Sequence, residues 1–182
     1  MPTADQDEAL ESAILVPVPE AEPVVGQLRA RLDSSAALGV PAHVTVLYPF
    51  VPPAELTPAV IETAAAAIAS VAAFDCRFAG TRWFGETVLW LAPEPDEPFL
   101  ALIAAVQAAF PAYPPYAGTI TAAIPHLTVG DRPEGGLGAL RDAETRVLPL
   151  LPVLAPIRHA WLMTGSQAPG SWQQLAALPL RA

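Results

Sequence analysis

Only three histidines occur in the 182-residue chain, and two of them sit in nearly the same surroundings. Pro41-Ala42-His43-Val44-Thr45-Val46 and Ile124-Pro125-His126-Leu127-Thr128-Val129 both read His-x-Thr followed by an apolar residue. On an extended strand, residues i and i+2 point to the same face. His43 therefore projects with Thr45 and His126 with Thr128, while Val44, Val46, Leu127 and Val129 face the other way. Adjacent polar groups on an otherwise apolar strand are costly to bury without partners, so the pattern suits a cavity wall. The chemistry it fits is acid–base cleavage of a phosphodiester. One neutral imidazole takes a proton from water and a second, protonated, supplies one to the departing oxygen, since histidine holds either state near neutral pH. Threonine hydroxyls can donate to the non-bridging phosphate oxygens, where charge builds in the transition state. A single His-x-Thr carries little information, because a lone strand histidine is more often structural. The doubling carries the signal.

The third histidine, His159, lies in the strand-like run PIRHAWLM. Its plain reading is a structural or surface position; its sharper one is a zinc site with His43 and His126, which would leave the twinned threonines unexplained. Tyr48, Trp83, Phe84 and Trp90 could stack on a nucleobase, although strand aromatics more often pack in the core. Tyr113 and Tyr116, in the proline-rich loop before the second motif, are either a lid or a solvated loop. Cys76, the single cysteine, reads as a small buried hydrophobe and excludes an intrachain disulfide or a paired-cysteine zinc site.

Composition narrows the function further. All nine basic residues are arginine, so the chain lacks the lysine that a P-loop, a lysyl-nucleotide adduct or a pyridoxal Schiff base needs. A formal charge of −9 argues against an extended nucleic-acid-binding surface, which must neutralise many phosphates. A small phosphate ligand needs only one or two arginines, and Arg82, Arg132 and Arg158 fall in segments that could frame a site. A hydrophobic share of 53% excludes disorder. The longest apolar stretch, Thr63 to Phe74, is too short to span a bilayer, and the acidic start MPTADQDEAL does not resemble a signal peptide. The expectation is a cytoplasmic monomer with no membrane partner, no metal and no cofactor.

The elements that must position the two motifs follow from periodicity and punctuation. Residues 1–11 read as an acidic lead-in and 12–182 as a single bilobal domain. Strands are predicted at Ala13–Val18 and His43–Tyr48, the latter from its β-branched and aromatic content. Helices are predicted at Glu20–Asp33 and at Pro58–Phe74, the second with Thr57 as N-cap and Pro58 at the first helical position. Cys76–Arg82 and Thr87–Leu91 form a hairpin about Gly85 and Glu86. A helix at Pro98–Phe110, a strand at His126–Gly130 and a helix at Gly136–Val147 follow. Leu154–Thr164 and Trp172–Leu180 then pair as a closing hairpin. Each half contains a proline-introduced short strand that begins with histidine, which suggests an imperfect internal duplication.

With PAHVTVLYPF at 41–50, IPHLTVG at 124–130 and the closing WLMTG…GSWQQLAALPL in view, the chain resembles the 2H phosphoesterase superfamily, in particular its 2′-5′ RNA ligase-like, or cyclic phosphodiesterase, branch. The resemblance covers roughly residues 12 to 180. It implies an α+β fold of two pseudo-symmetric α/β lobes whose antiparallel strands line a central cleft. It also implies that His43 and His126 are the acid–base pair and that Thr45 and Thr128 are phosphate ligands. The implied activity is metal-independent opening of 2′,3′-cyclic or related cyclic phosphates, on a small nucleotide or a short RNA end. The acidic, lysine-free composition departs from what an RNA-handling member would present. Two other readings use the same four side chains: 2′-5′ ligation of RNA ends, and capture of a nucleotide or phosphate without turnover.

Overall fold

The computed structural model describes residues 9–119, 122–131 and 135–182. Its eight strands form two four-stranded sheets in which every neighbouring pair is antiparallel. The first has the order β2-β1-β7-β8, with β1 at Glu11–Pro17, β2 at His43–Leu47, β7 at His159–Gly165 and β8 at Gln173–Pro179. The second has the order β5-β4-β3-β6, with β3 at Phe74–Phe84, β4 at Val88–Glu94, β5 at Leu127–Gly130 and β6 at Val153–Ile157. Five helices accompany them among the described residues: α1 (Glu22–Leu32), α2 (Ser34–Ala37), α3 (Pro58–Ala69), α4 (Glu97–Ala109) and α5 (Gly136–Val147). None is long and apolar enough to cross a membrane.

Each motif lies on an edge strand, β2 in one sheet and β5 in the other, and the two edges pack side by side. The helices that lead into these strands cross over. Helix α1 connects β1 to β2 yet packs on β5, and α4 connects β4 to β5 yet packs on β2. Their apolar faces (Val25 and Leu32 of α1; Phe99, Leu102 and Val106 of α4) join Val44 and Val46 of β2 and Leu127 and Val129 of β5 in one continuous core. The alternation predicted for the motif strands is present: Val44, Val46, Leu127 and Val129 are buried, and His43, Thr45 and Thr128 are half-exposed between them.

Local signals account for most elements. Thr57 caps α3, its Oγ1 accepting from the Val60 amide at 3.3 Å, with Pro58 at the first position. The helix ends at Ala69, short of the predicted Phe74, because Phe74 already pairs with Ile157 in β3. The N-terminal lead-in expected over residues 1–11 lies outside the described residues up to position 8, and Glu11 opens β1. Cys76 is buried, as read.

One element is corrected. Leu154–Thr164 is not a single strand of a closing hairpin. It divides at Arg158 into β6, paired with β3 in the second sheet, and β7, paired with β1 and β8 in the first. Arg158 pins the crossing point: its guanidinium donates to the Phe74 carbonyl at 2.8 Å and to Asp75 at 2.6 Å, and its own carbonyl accepts from the Leu180 amide.

Gly130, at the end of β5, is packed tightly between Leu32 of α1 and Leu140 of α5. A Cβ there would stand 2.7 Å from Leu140 Cδ2 and 2.8 Å from Leu32 Cβ, and the neighbouring Asp131 amide bonds the Leu32 carbonyl at 2.8 Å. Overpacking of this kind costs about 1–3 kcal/mol. A Gly130→Val variant is therefore expected to unfold several degrees below wild type by calorimetry, at about 2–4 °C per kcal/mol for a chain of this length. Gly138→Val at a position with open space is expected to lose less.

Candidate active site

The two sheets bring all four predicted side chains together. His43, Thr45, His126 and Thr128 line one cavity of about 480 Å³, within the range of small-ligand sites. Strand register sets their places. His43 lies opposite Pro17 and Thr45 opposite Leu15 on β1, while Thr128 lies opposite Trp90 on β4.

Both imidazoles are held in the same way. Nδ1 of His43 lies 2.7 Å from the Pro41 carbonyl, and Nδ1 of His126 lies 2.6 Å from the Ile124 carbonyl, each two residues upstream. A carbonyl oxygen only accepts, so each Nδ1 carries the proton and each Nε2 keeps its lone pair. Burial is the main cause that lowers the pKa of His43 to about 4. The Arg29 guanidinium and His126 lower it further, against the Pro41 hydrogen bond and Asp33. Burial also lowers the pKa of His126, opposed by its bond to Ile124. At neutral pH both rings are neutral before anything binds.

Aromatic side chains stand about the histidines: Tyr48, Tyr116 and Trp172 line the cavity, and Phe84 and Trp90 contact His126. Phe84 meets His126 edge to face at 4.9 Å and stacks on Trp90 at 4.7 Å. Tyr48 packs against Tyr116 at 6.4 Å and Trp172 at 6.2 Å. Tyr116 is held over the cavity by its amide, which donates to the Tyr48 carbonyl at 2.7 Å, and its backbone adopts a positive φ of 48°. Burial raises its pKa, while a side-chain hydrogen bond with Thr45 acts in the opposite direction. The Tyr48 hydroxyl donates to Glu11 at 3.0 Å, and burial together with that bond pushes its pKa up to about 12. Both phenols remain neutral. A second, more apolar recess of about 270 Å³ shares Thr45, Tyr48, Tyr116 and His126 with the main cavity and extends to Ile103, Gln107 and Phe84.

Several residues singled out in the sequence lie elsewhere. His159 is exposed at the start of β7, stacked on Trp161 at 6.2 Å, and it does not line the cavity. The three-histidine metal site is therefore not assembled, and among the described residues no group of three His, Cys, Asp or Glu could hold a metal. Trp83 turns toward α5, its indole donating to Glu144 at 3.0 Å, and Tyr113 bonds Glu55 at 3.3 Å. Arg158 is committed to Phe74 and Asp75. Arg82 borders a neighbouring groove with Phe84, Trp90 and Ile124, and Arg132 lies outside the described residues. Among the described residues no arginine lines the histidine cavity, whereas Asp33 and Asp131 do.

The sequence reading missed Trp172 and Gln167, which also line the cavity, and the buried Arg29 behind it. Arg29 had left a trace: it falls four residues after Val25 and three before Leu32, on the helix face that is otherwise apolar.

Comparison with known proteins agrees with this architecture. Solved structures of similar fold include TT0787 of Thermus thermophilus, at 21% identity and TM-score 0.63, covering 94% of this chain and 98% of that one. E. coli LigT complexed with NADP+ is similar at 16% identity and TM-score 0.59, with 97% and 100% covered. E. coli LigT complexed with 3′-AMP is similar at 14% identity and TM-score 0.59, with 96% and 100% covered. No curated protein sequence matches. The profile of the 2′-5′ RNA ligase superfamily matches residues 16–168, most of the chain and both His-x-Thr strands, and the protein belongs to that superfamily of 2H phosphoesterases.

Proposed function

We propose that the protein is a phosphodiesterase that opens 2′,3′-cyclic or related cyclic phosphates of small nucleotides or short RNA ends, using His43 and His126 as an acid–base pair. The observation that carries this reading is the convergence of the two imidazoles and two threonine hydroxyls on one cavity, each ring fixed through Nδ1 so that Nε2 is free to take or give a proton. Water attacks phosphorus as one Nε2 removes its proton. The bond from phosphorus to one ribose oxygen breaks, and the other imidazole, protonated, delivers its proton to that oxygen. Thr45 and Thr128 donate to the non-bridging oxygens as charge develops there. No step calls on a metal ion.

The free protein holds both rings neutral, so the acid must gain its proton. An anion beside an imidazole raises its pKa, and the bound phosphodiester supplies that anion. The lack of arginine among the described cavity residues, with Asp33 and Asp131 present, favours a ligand with a single phosphate over a longer polyanion. The apolar recess beside His126 offers room for a nucleobase. With the 5′-hydroxyl of a second RNA end attacking in place of water, and the bond from phosphorus to the 3′ oxygen the one that breaks, the same proton transfers would join RNA ends through a 2′-5′ bond.

The test is turnover, with and without EDTA, of 2′,3′-cyclic mononucleotides, a short RNA ending in a 2′,3′-cyclic phosphate, and ADP-ribose 1″,2″-cyclic phosphate. Opening of a mononucleotide in the presence of EDTA is expected, with kcat lowered at least about 10²-fold, the low end for a general acid or base, in His43→Ala and His126→Ala. Full activity of a folded His126→Ala protein would remove the two-histidine mechanism. Release of the cyclic phosphate unopened from the wild type would leave a binding module.

Neutral His43 also has a signature in stability. The unfolded ring titrates near 6.5, and the folded one near 4. Its contribution is complete above about pH 6.5 and is lost as pH falls toward 4, because the unfolded chain takes up the proton first. Urea midpoints are expected to fall between pH 7 and 4.5 in the wild type and to fall less in His43→Gln.

A further inference from the structure

Arg29 and Asp33 are the charged residues buried in the described part of the chain, and both act on His43 and not on His126. A buried ion pair is weak evidence for stability, since well-packed apolar residues of similar volume often serve as well. What this pair holds is therefore the informative observation. Arg29 Nε and Nη2 grip Asp33 Oδ2 at 2.8 and 2.7 Å. The same Nη2 donates to the Val40 carbonyl at 3.2 Å and to Ser35 Oγ at 3.2 Å. Nη1 lies 3.7 Å from Glu22 Oε1, and that carboxylate oxygen accepts from the Ala42 amide at 2.6 Å. Gly26, one turn on in α1, leaves the space Glu22 needs to lie back, because a Cβ there would stand 2.7 Å from Oε2.

The bonds to Val40 and Ala42 flank Pro41, whose carbonyl fixes the His43 ring. Proline has no amide hydrogen of its own to anchor it, so its two neighbours are the handles by which this peptide can be held. The other half of the site lacks such a device: Ile124, whose carbonyl fixes His126, is 52% exposed, and no buried charge stands behind it among the described residues.

We propose that Arg29 is a positioning residue. Braced by Asp33 and Glu22, it holds Val40–Ala42 so that the Pro41 carbonyl receives the His43 Nδ1 proton and Nε2 faces the cavity. Its consequence for turnover rests on the phosphodiesterase reading; its consequence for the ring does not.

The experiment uses the full chain labelled with 15N-histidine. Long-range proton–nitrogen correlation spectra at pH 7.5 read the tautomer of each ring, for wild type, Arg29→Met, Arg29→Lys and Glu22→Ala. Arg29→Lys keeps a buried cation and guards against loss of folding in Arg29→Met. The wild type is expected to show Nδ1-protonated rings at His43 and His126. The folded variants are expected to show a mixed tautomer at His43 alone, and a kcat lowered roughly tenfold to hundredfold, the scale of a small misplacement, with little change in KM. A single, unshifted His43 tautomer in folded Arg29→Lys and Glu22→Ala would overturn the proposal. So would equal shifts at both rings, which would mark a general loosening of the fold. Absence of turnover in the wild type, with the selective His43 shift intact, would instead refute the phosphodiesterase reading and leave the positioning role standing.

Discussion

The arrangement depends on one constraint: two edge strands from different sheets must stand side by side in a fixed relation without a hydrogen-bonded ladder between them. Strands β2 and β5 meet this through the helices that cross between the sheets. Helix α1 is fastened to β5 at its end, where the Leu32 carbonyl takes the Asp131 amide and the Ser34 amide and hydroxyl bond the Asp131 carboxylate. Helix α4 lies against β2. The relative position of the two histidines is thus a property of helix packing, and the tight seat of Gly130 between Leu32 and Leu140 is part of the same joint.

Within that frame the cavity is polar but nearly free of mobile charge. Its imidazoles and phenols are neutral at pH 7. Asp33 is spent on Arg29, and Asp131 on Ser34. An anionic ligand would become the dominant local charge on entering, which couples its binding to the protonation of a ring. The two halves are alike in how each histidine is fixed and unlike in what stands behind it. Pseudo-symmetry of the backbone coexists with an asymmetric electrostatic background.

Much of this was legible in the residues. The alternation in HVTV and HLTV placed the four polar side chains on the inward faces of two short strands, and the Thr57-Pro58 cap located the start of α3. These signals are local. The division of Leu154–Thr164 was not visible, because the run has suitable strand residues on both sides of Arg158. The break is imposed by partners remote in sequence, Phe74, Asp75 and Leu180. Arg82, Arg132 and Arg158 fall in segments that could frame the site, whereas among the described residues it is Arg29, hidden in an apolar stripe, that adjoins it. Ordinary amphipathic reading treats such a residue as noise in the pattern. Its purpose emerges only when Val40 and Ala42 are folded against it.

The crossed helices bear on how such a molecule is divided. Each sheet borrows the helix that leads into the other sheet's motif strand, which is the geometry of a domain-swapped pair carried within a single chain. A fragment holding one His-x-Thr strand without the other would possess neither the opposing imidazole nor the crossed helix that packs on its own motif strand. Its motif strand would have lost the helix that packs against it. The smallest unit able to build the site is therefore both sheets together with both crossed helices.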